Sequence, residues 1–321
     1  MEINNTDIQS IENLVRVCDN IKNEVSKVIV GQKDVIDKLL ITIFSNGHAV
    51  LIGVPGLAKT LLVNSISKTL GLHFNRIQFT PDLMPSDIIG AEIIDNDRNF
   101  KFVKGPLFGN IILADEINRT PPKTQSALLE AMQEKSVTVS GKTYKLDSPF
   151  FVLATQNPIE QEGTYPLPEA QLDRFMFSIV VDYPNLNEEL QIVKSNTSVN
   201  HQEISKVLNL EDILNFQKCL LGLPVTNNVY SYAVELVRKT RPNNESSPEE
   251  IKKFIDFGAG PRASQYLILG AKMHAVLKGK YSPDIEDVRA VSADVLRHRI
   301  VKNYKAEAEG VTIEGIIQNL F

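Results

Sequence analysis

The chain is 321 residues long, with 43% hydrophobic and 23% charged residues. That is the composition of an ordinary globular protein, long enough for about two domains, and it excludes disorder and collagen-like repeats. With 34 basic against 39 acidic residues the net charge is −5, so the overall basic footprint of a nucleic-acid binder is missing.

The start, Met1-Glu2-Ile3-Asn4-Asn5, has no basic region followed by an apolar stretch, so no secretory signal is expected. Ile11, Leu14, Val15, Cys18, Ile21, Val25 and Val28 recur at helical spacing and predict a helix over residues 8–29, ended by Gly31. A second helix is expected over 33–45. Five short apolar segments then read as strands, at 48–52, 75–79, 110–114, 150–154 and 175–181. They alternate little, as strands covered on both faces do, and helical stretches at 60–70 and 123–134 lie between them. This alternation implies a parallel α/β sheet. A polar, proline-rich insert at 80–106 carries a possible hairpin, and Gly141-Lys142 marks a second one over 137–146. After Pro184 the strand pattern gives way to helices, one of them opened by Ser282-Pro283-Asp284. The expected division is an N-terminal α/β unit over 1–185 and a helical lid over 186–321. Apolar runs are far shorter than the ~20 residues that cross a bilayer, so no membrane insertion is expected. Cys18 and Cys219 lack any CxxC spacing and the five histidines are scattered, which argues against disulfides or zinc and suits a reducing cytoplasm.

Gly53-Val54-Pro55-Gly56-Leu57-Ala58-Lys59-Thr60 follows a strand and opens a helix, the setting of a phosphate-binding loop. Its backbone N–H groups and the helix N-terminus favour phosphate, Lys59 would reach the β- and γ-phosphates, and Thr60 would bind Mg²⁺. The nucleotide-contacting stretch is expected to run through Leu61. Ala58 replaces the usual glycine and is expected at negative φ, because alanine is disfavoured at positive φ. Residues 111–114 form an apolar strand ending in Asp115-Glu116. Asp115 can hold the metal, directly or through water, and Glu116 can deprotonate the attacking water. Another apolar strand runs into Thr155-Gln156-Asn157. Placed between the other two, it would bring Asn157 to the γ-phosphate.

These motifs resemble those of the AAA+ ATPases and, more narrowly, the MoxR family. The most specific stretches are Arg76-Ile77-Gln78-Phe79-Thr80-Pro81-Asp82-Leu83, Asp115-Glu116-Ile117-Asn118-Arg119, Ala154-Thr155-Gln156-Asn157-Pro158 and the run from Glu162-Gly163-Thr164-Tyr165 to Leu172-Asp173-Arg174-Phe175. The likeness extends from about Val30 to the C-terminus, and the alanine at position 58 is usual in that family. The resemblance implies a P-loop AAA+ core with a five-stranded parallel sheet flanked by helices, followed by an all-helical lid. It makes 80–106 the helix-2 insert and 137–146 the pre-sensor-1 hairpin. It assigns Arg174 as the arginine finger acting on a neighbouring subunit's ATP, and Arg262 of Gly260-Pro261-Arg262 as the sensor-2 arginine of the subunit's own lid. Val30-Gly31-Gln32 would cover the adenine, and Asn118 and Arg119 would lie at an interface. His298 is expected on a polar lid face.

The function implied is a cytoplasmic, Mg²⁺-dependent ATPase forming a ring, expected to be a hexamer. Its chaperone-like work would mature partner proteins, von Willebrand factor A domain proteins or metalloenzymes among them. The alternative is a nucleic-acid motor, since related AAA+ branches include helicases. The net negative charge and a hairpin with only Lys142 and Lys145 speak against it, so no nucleic acid is expected. A scaffold that binds ATP without turnover is a third reading, and Glu116, Asn157 and Arg174 speak against that.

Overall fold

The computed structural model describes residues 5–94, 96–159, 163–197 and 202–321. In chain order, helices α1 (Asn5–Ser26) and α2 (Lys33–Phe44) precede β1 (Ala49–Ile52), α3 (Lys59–Leu70) and β2 (Phe74–Gln78). The insert holds α4 (Pro85–Ile89), β3 (Gly90–Ile94) and β4 (Phe100–Lys104). Then come β5 (Ile111–Asp115), α5 (Pro122–Glu134), the hairpin β6 (Ser136–Val139) and β7 (Lys142–Lys145), β8 (Phe151–Gln156), α6 (Glu169–Leu172) and β9 (Phe177–Val180). The remainder comprises α7 (Leu186–Asn196), α8 (Leu210–Gly222), α9 (Asn227–Lys239), α10 (Glu249–Phe254), β10 (Ile255–Phe257), α11 (Pro261–Leu277), α12 (Ile285–Leu296), β11 (Val301–Lys302), α13 (Tyr304–Ala308) and α14 (Ile313–Gln318).

The five expected strands form one parallel sheet in the order β2-β5-β8-β1-β9. Its side chains alternate between two cores. Leu51, Leu113 and Leu153 pack with the N-terminal and lid helices, while Val50, Ile112 and Val152 pack against α5 and the insert. Covering on both faces explains the near-continuous apolar runs of β1, β5 and β8. The edge strand β2 instead alternates: Ile77 is buried, and Arg76 and Gln78 are exposed.

Register fixes the level of the strand ends. Gln78 pairs with Asp115, Ala114 with Ala154, and Ile52 with Gln156. Four strands therefore finish side by side, and the loops that follow them open on one edge of the sheet, where ligands of open α/β folds bind. The two hairpins stand together, with the Phe102 and Tyr144 rings stacked at 4.2 Å.

Helix α1 stops at Ser26, not at residue 29, and Gly31 lies beyond its end. Val28-Ile29-Val30 is a β-branched run that resists helix, although Ile29 still packs in the core. The lid also carries one short antiparallel ribbon, β10 with β11. No helix among the described residues is long and apolar enough to cross a membrane.

His48 ties β1 to β8. Its buried Nδ1 accepts the Val152 N–H at 3.0 Å, and the Met132 backbone is its second hydrogen-bond partner. Burial lowers its pKa to about 4. The unfolded chain thus binds a proton that the folded chain refuses, between the ordinary histidine value and about 4. This contribution to stability is complete above that ordinary value and is lost as pH falls toward 4, by roughly 3 kcal/mol in all. Replacing His48 by Gln keeps an acceptor but removes the titration. Urea unfolding of His48→Gln across that range should show a smaller loss on acidification than wild type, and an identical loss would refute the assignment.

Candidate active site

The loop between β1 and α3 carries its backbone in an unusual form. Gly56 has φ +88°, and a side chain there would meet nothing within 4 Å. Ala58 has φ +54° and ψ 22°, which corrects the expectation of negative φ. A left-handed alanine costs roughly 1–2 kcal/mol, and its surroundings impose it. Its carbonyl starts α3 by accepting Leu62 N–H at 2.8 Å, and Gln32 Nε2 holds the neighbouring Leu57 carbonyl at 3.1 Å. Alternating handedness in such a loop turns successive N–H groups inward, a concavity suited to an anion at a helix N-terminus.

A cleft of about 450 Å³ joins residues 55–61 with Arg76, Asp115, Glu116, Thr155, Gln156 and Asn157. Two strand ends, those of β5 and β8, thus supply the acids and amides there, and β2 adds Arg76. Lys59 Nζ donates to the carbonyls of Gly53 and Val54, both at 2.7 Å, so the loop folds back on its own ammonium. Partial burial lowers its pKa, and the charges of Asp115 and Glu116 oppose that.

Asp115 is buried and its two oxygens differ. Oδ1 accepts Thr155 Oγ1–H at 2.6 Å. Oδ2 accepts Arg76 at 2.7 and 3.0 Å and lies 3.4 Å from Thr60 Oγ1. Hydroxyl and carboxylate oxygens side by side are hard donors of the kind Mg²⁺ takes. Among the described residues no group of three or more His, Cys, Asp or Glu could hold a metal, so a metal here would complete its shell with phosphate and water. Glu116 also lies in the left-handed region, at φ +57°. Its N–H donates to Thr155 Oγ1 at 2.8 Å, and its Oε2 accepts from Gln78 at 2.8 Å and Arg119 at 3.0 Å. Asn157 Oδ1 accepts Ile159 N–H at 3.2 Å, which fixes the side chain at the cleft edge.

Other expected site residues lie elsewhere. Val30 and Gly31 line a separate cleft of about 770 Å³ with Asp19, Lys22, Ile36 and Gln191. Arg174 donates to the Leu129 carbonyl at 2.6 Å and borders a groove along α5. Arg262 pairs with Asp173 at 3.0 Å, and the deeply buried Arg299 takes the other Asp173 oxygen at 2.7 Å. His298 is not on an open face. Its Nε2 lies 3.0 Å from the Phe175 carbonyl and 2.7 Å from Arg299, and burial with the nearby arginine charges pushes its pKa well down. Sequence reading gave no roles to Arg76, Gln78 and Thr155. The alternation of β2 singles out the first two, and the third needs the strand order.

A parallel sheet of this order, a loop shaped for phosphate beside two acids, and a helical lid together define an ATPase core. Residues 48–177 match the family model described as ATPase family associated with various cellular activities (AAA), and residues 249–320 match the AAA lid domain. Over 298 residues the chain is 44% identical to chaperone MoxR1 of Mycobacterium tuberculosis, covering 92% of this chain and 79% of that protein. It is 28% identical to protein MoxR of Methylorubrum extorquens over 295 residues, covering 87% and 86%. A protein of Cytophaga hutchinsonii with a known crystal structure superposes with a TM-score of 0.91 at 46% identity, covering 97% of this chain and 95% of that one. The chain belongs to the MoxR family of AAA+ ATPases.

Thr155 is where the two acids meet, since its hydroxyl donates to Asp115 and accepts from the Glu116 backbone. The near-isosteric Thr155→Val change strands both groups and should cost about 2–4 kcal/mol. Thr155→Ser should recover most of it. Equal unfolding midpoints for wild type and Thr155→Val would show that the hydroxyl does not hold the acidic turn.

Proposed function

We propose that this chain binds ATP in the cleft between loop residues 53–61 and the ends of β5 and β8 and hydrolyses it by in-line attack of water. The observation that carries this reading is the meeting of Lys59, Thr60, Asp115, Glu116 and Asn157 in one cleft. Loop N–H groups and the start of α3 hold the phosphates, and Lys59 faces the β- and γ-oxygens. Thr60 and Asp115 hold Mg²⁺, which when bound neutralises charge on the phosphate oxygens. Glu116 takes the proton of the attacking water, and Asn157 orients that water against the γ-phosphate.

Arg262 reaches phosphate from the chain's own lid, and Arg174 reaches the ATP of the next subunit in a ring, read as a hexamer. A guanidinium at either place stabilises charge on the transferring phosphoryl group. Val30, Gly31 and Gln32 would cover the base; Gln32 reaches the loop through the Leu57 carbonyl, while Val30 and Gly31 line the separate cleft described above. The position of Arg174, in a groove apart from its own chain's cleft, supports action on a neighbour. Lid motion against the core would pass the nucleotide state to a partner. The relative named chaperone MoxR1 supports chaperone-like work on a client protein; the cytoplasm as the place, and a von Willebrand factor A domain protein or a metalloenzyme as the client class, belong to our reading alone. No nucleic acid is required, and an ATPase rate unchanged by added DNA is the expected result.

Lys59→Ala should abolish tight ATP binding, and Glu116→Gln should keep binding while turnover drops about 10²–10⁴-fold. Equilibrium binding with a fluorescent nucleotide, alongside phosphate release, separates the two. Near-normal turnover of Glu116→Gln would remove that residue from the chemistry.

Arg174→Ala should bind ATP yet hydrolyse it poorly, because loss of such an arginine is worth up to ~10³–10⁵ in rate in dissected systems. Mixing Glu116→Gln with Arg174→Ala subunits should restore activity, since some sites then pair an intact Glu116 with an intact Arg174 from next door. A mixture that forms mixed rings and stays inactive would exclude action in trans.

A further inference from the structure

Arg76 lines the cleft but has no part in the chemistry above. Its guanidinium places two N–H groups on a single oxygen, Asp115 Oδ2, at 2.7 and 3.0 Å. The other oxygen, Oδ1, is committed to the buried Thr155 hydroxyl at 2.6 Å. Oδ2 is therefore the oxygen that faces the cleft, and it lies beside Thr60 Oγ1. A metal held between Thr60 and Asp115 needs the lone pairs of Oδ2, whether it binds them directly or through a water. Arg76 already fills those directions and places a positive charge beside the same point. Both cannot be satisfied fully at once.

Arg76 is also built to leave. Its side chain is 48% exposed on the edge strand β2, against 2% for the structural Arg299. Its departure would be felt further along the strand. The same Nη2 donates to Gln78 Oε1 at 2.6 Å, and Gln78 Nε2 donates to Glu116 Oε2 at 2.8 Å. One chain of contacts thus runs from the metal-facing oxygen of Asp115 to the carboxylate of Glu116.

We propose that Arg76 is a placeholder cation: it neutralises Asp115 in the nucleotide-free chain, competes with Mg²⁺ for Oδ2, and so sets the metal affinity of the site as a positioning residue. The proposal rests on the reading of Thr60 and Asp115 as the metal-holding pair. Its consequence is that metal entry frees Gln78 from one of its two fixed partners.

The test is calorimetric titration of the full chain with ADP, which is not hydrolysed, in EDTA and in saturating Mg²⁺. Linkage makes the ratio of the two Kd values a measure of metal coupling. For Arg76→Gln the Kd in Mg²⁺ should fall, and the ratio should rise by roughly 3- to 10-fold over wild type, the range of a partly exposed charge pair. Arg76→Lys, which keeps the charge, should stay near wild type. An unchanged ratio overturns the proposal. So does a ratio that rises only because the EDTA arm weakens, and so does weaker binding in Mg²⁺, which would make Arg76 a phosphate ligand. If wild type binds ADP but Mg²⁺ adds nothing, the metal pair itself is misassigned and the proposal falls with it. If wild type and Lys59→Ala bind ADP equally, the nucleotide site is misplaced.

Discussion

The buried carboxylate of Asp115 is the constraint around which this site is organised. A charge at the end of a central strand, largely withdrawn from water, costs several kcal/mol unless it is paired and hydrogen-bonded. Both requirements are met from neighbouring strands, Thr155 on β8 and Arg76 on β2. That solution works only if β8 and β2 flank β5 with their ends level, which the sheet order and register supply. Thr155 then has its own lone pairs to offer, and one of them takes the N–H of Glu116. Glu116 is turned into a left-handed conformation that swings its carboxylate toward Gln78 and Arg119. The two acids, adjacent in sequence, are thereby sent to different partners and can do different work.

A second buried charge joins the lid to the core. Arg299 donates to the Asp173 carboxylate and to the carbonyls of Asp173 and Phe175, all in the segment that enters β9. Arg297, two residues earlier, reaches the Ser178 carbonyl of β9. A guanidinium has five donors in a fixed fork, so it can satisfy several carbonyls of an irregular segment at once, which a lysine could not. The chain around Arg174 is consequently held by the lid and by α5 together. The N-terminal helices share this arrangement, because Lys38 of α2 pairs with the buried Asp294 of α12 at 3.1 Å. Lid, N-terminal helices and one sheet face enclose a single apolar core.

Much of the fold was legible in the sequence because its signals are local. Apolar runs marked the five strands, Gly141 marked the second hairpin, and Asp284 opened α12 as a cap whose side chain accepts from Asp287 N–H. The strand bounds moved by one or two residues, as ends that fray between register partners do. In the site, the loop, Asp115, Glu116 and Asn157 were legible because each ends a strand. Their partners were not. Arg76 lies 39 residues from Asp115 in sequence, and Arg299 lies 126 from Asp173, so only the folded chain brings either pair together. His298 was misread for the same reason: flanking arginines suggest water, yet both of those arginines point inward to backbone carbonyls.

Ala58 was misread for a different reason, and it says more about the site. Propensity rules describe what a residue prefers when its surroundings are indifferent, and here they are not. The chain must reverse between β1 and α3 while keeping its N–H groups turned to one point, and the strand and helix ends are fixed by cores on either side. Gln32, Ala58 and Glu116 are all non-glycine residues at positive φ, and they belong to three segments at or near the cleft. Gln32 anchors Leu57, Ala58 starts α3, and Glu116 follows Asp115. Strain of this kind persists only where surrounding contacts over-determine the backbone. Of the seven such residues among the described ones four lie elsewhere, and these three stand where the contacts just named hold the loop before α3 and the acidic turn. A site built that way gives up some stability of the chain, and in return its dipoles need little reorganisation when charge develops on a bound phosphate.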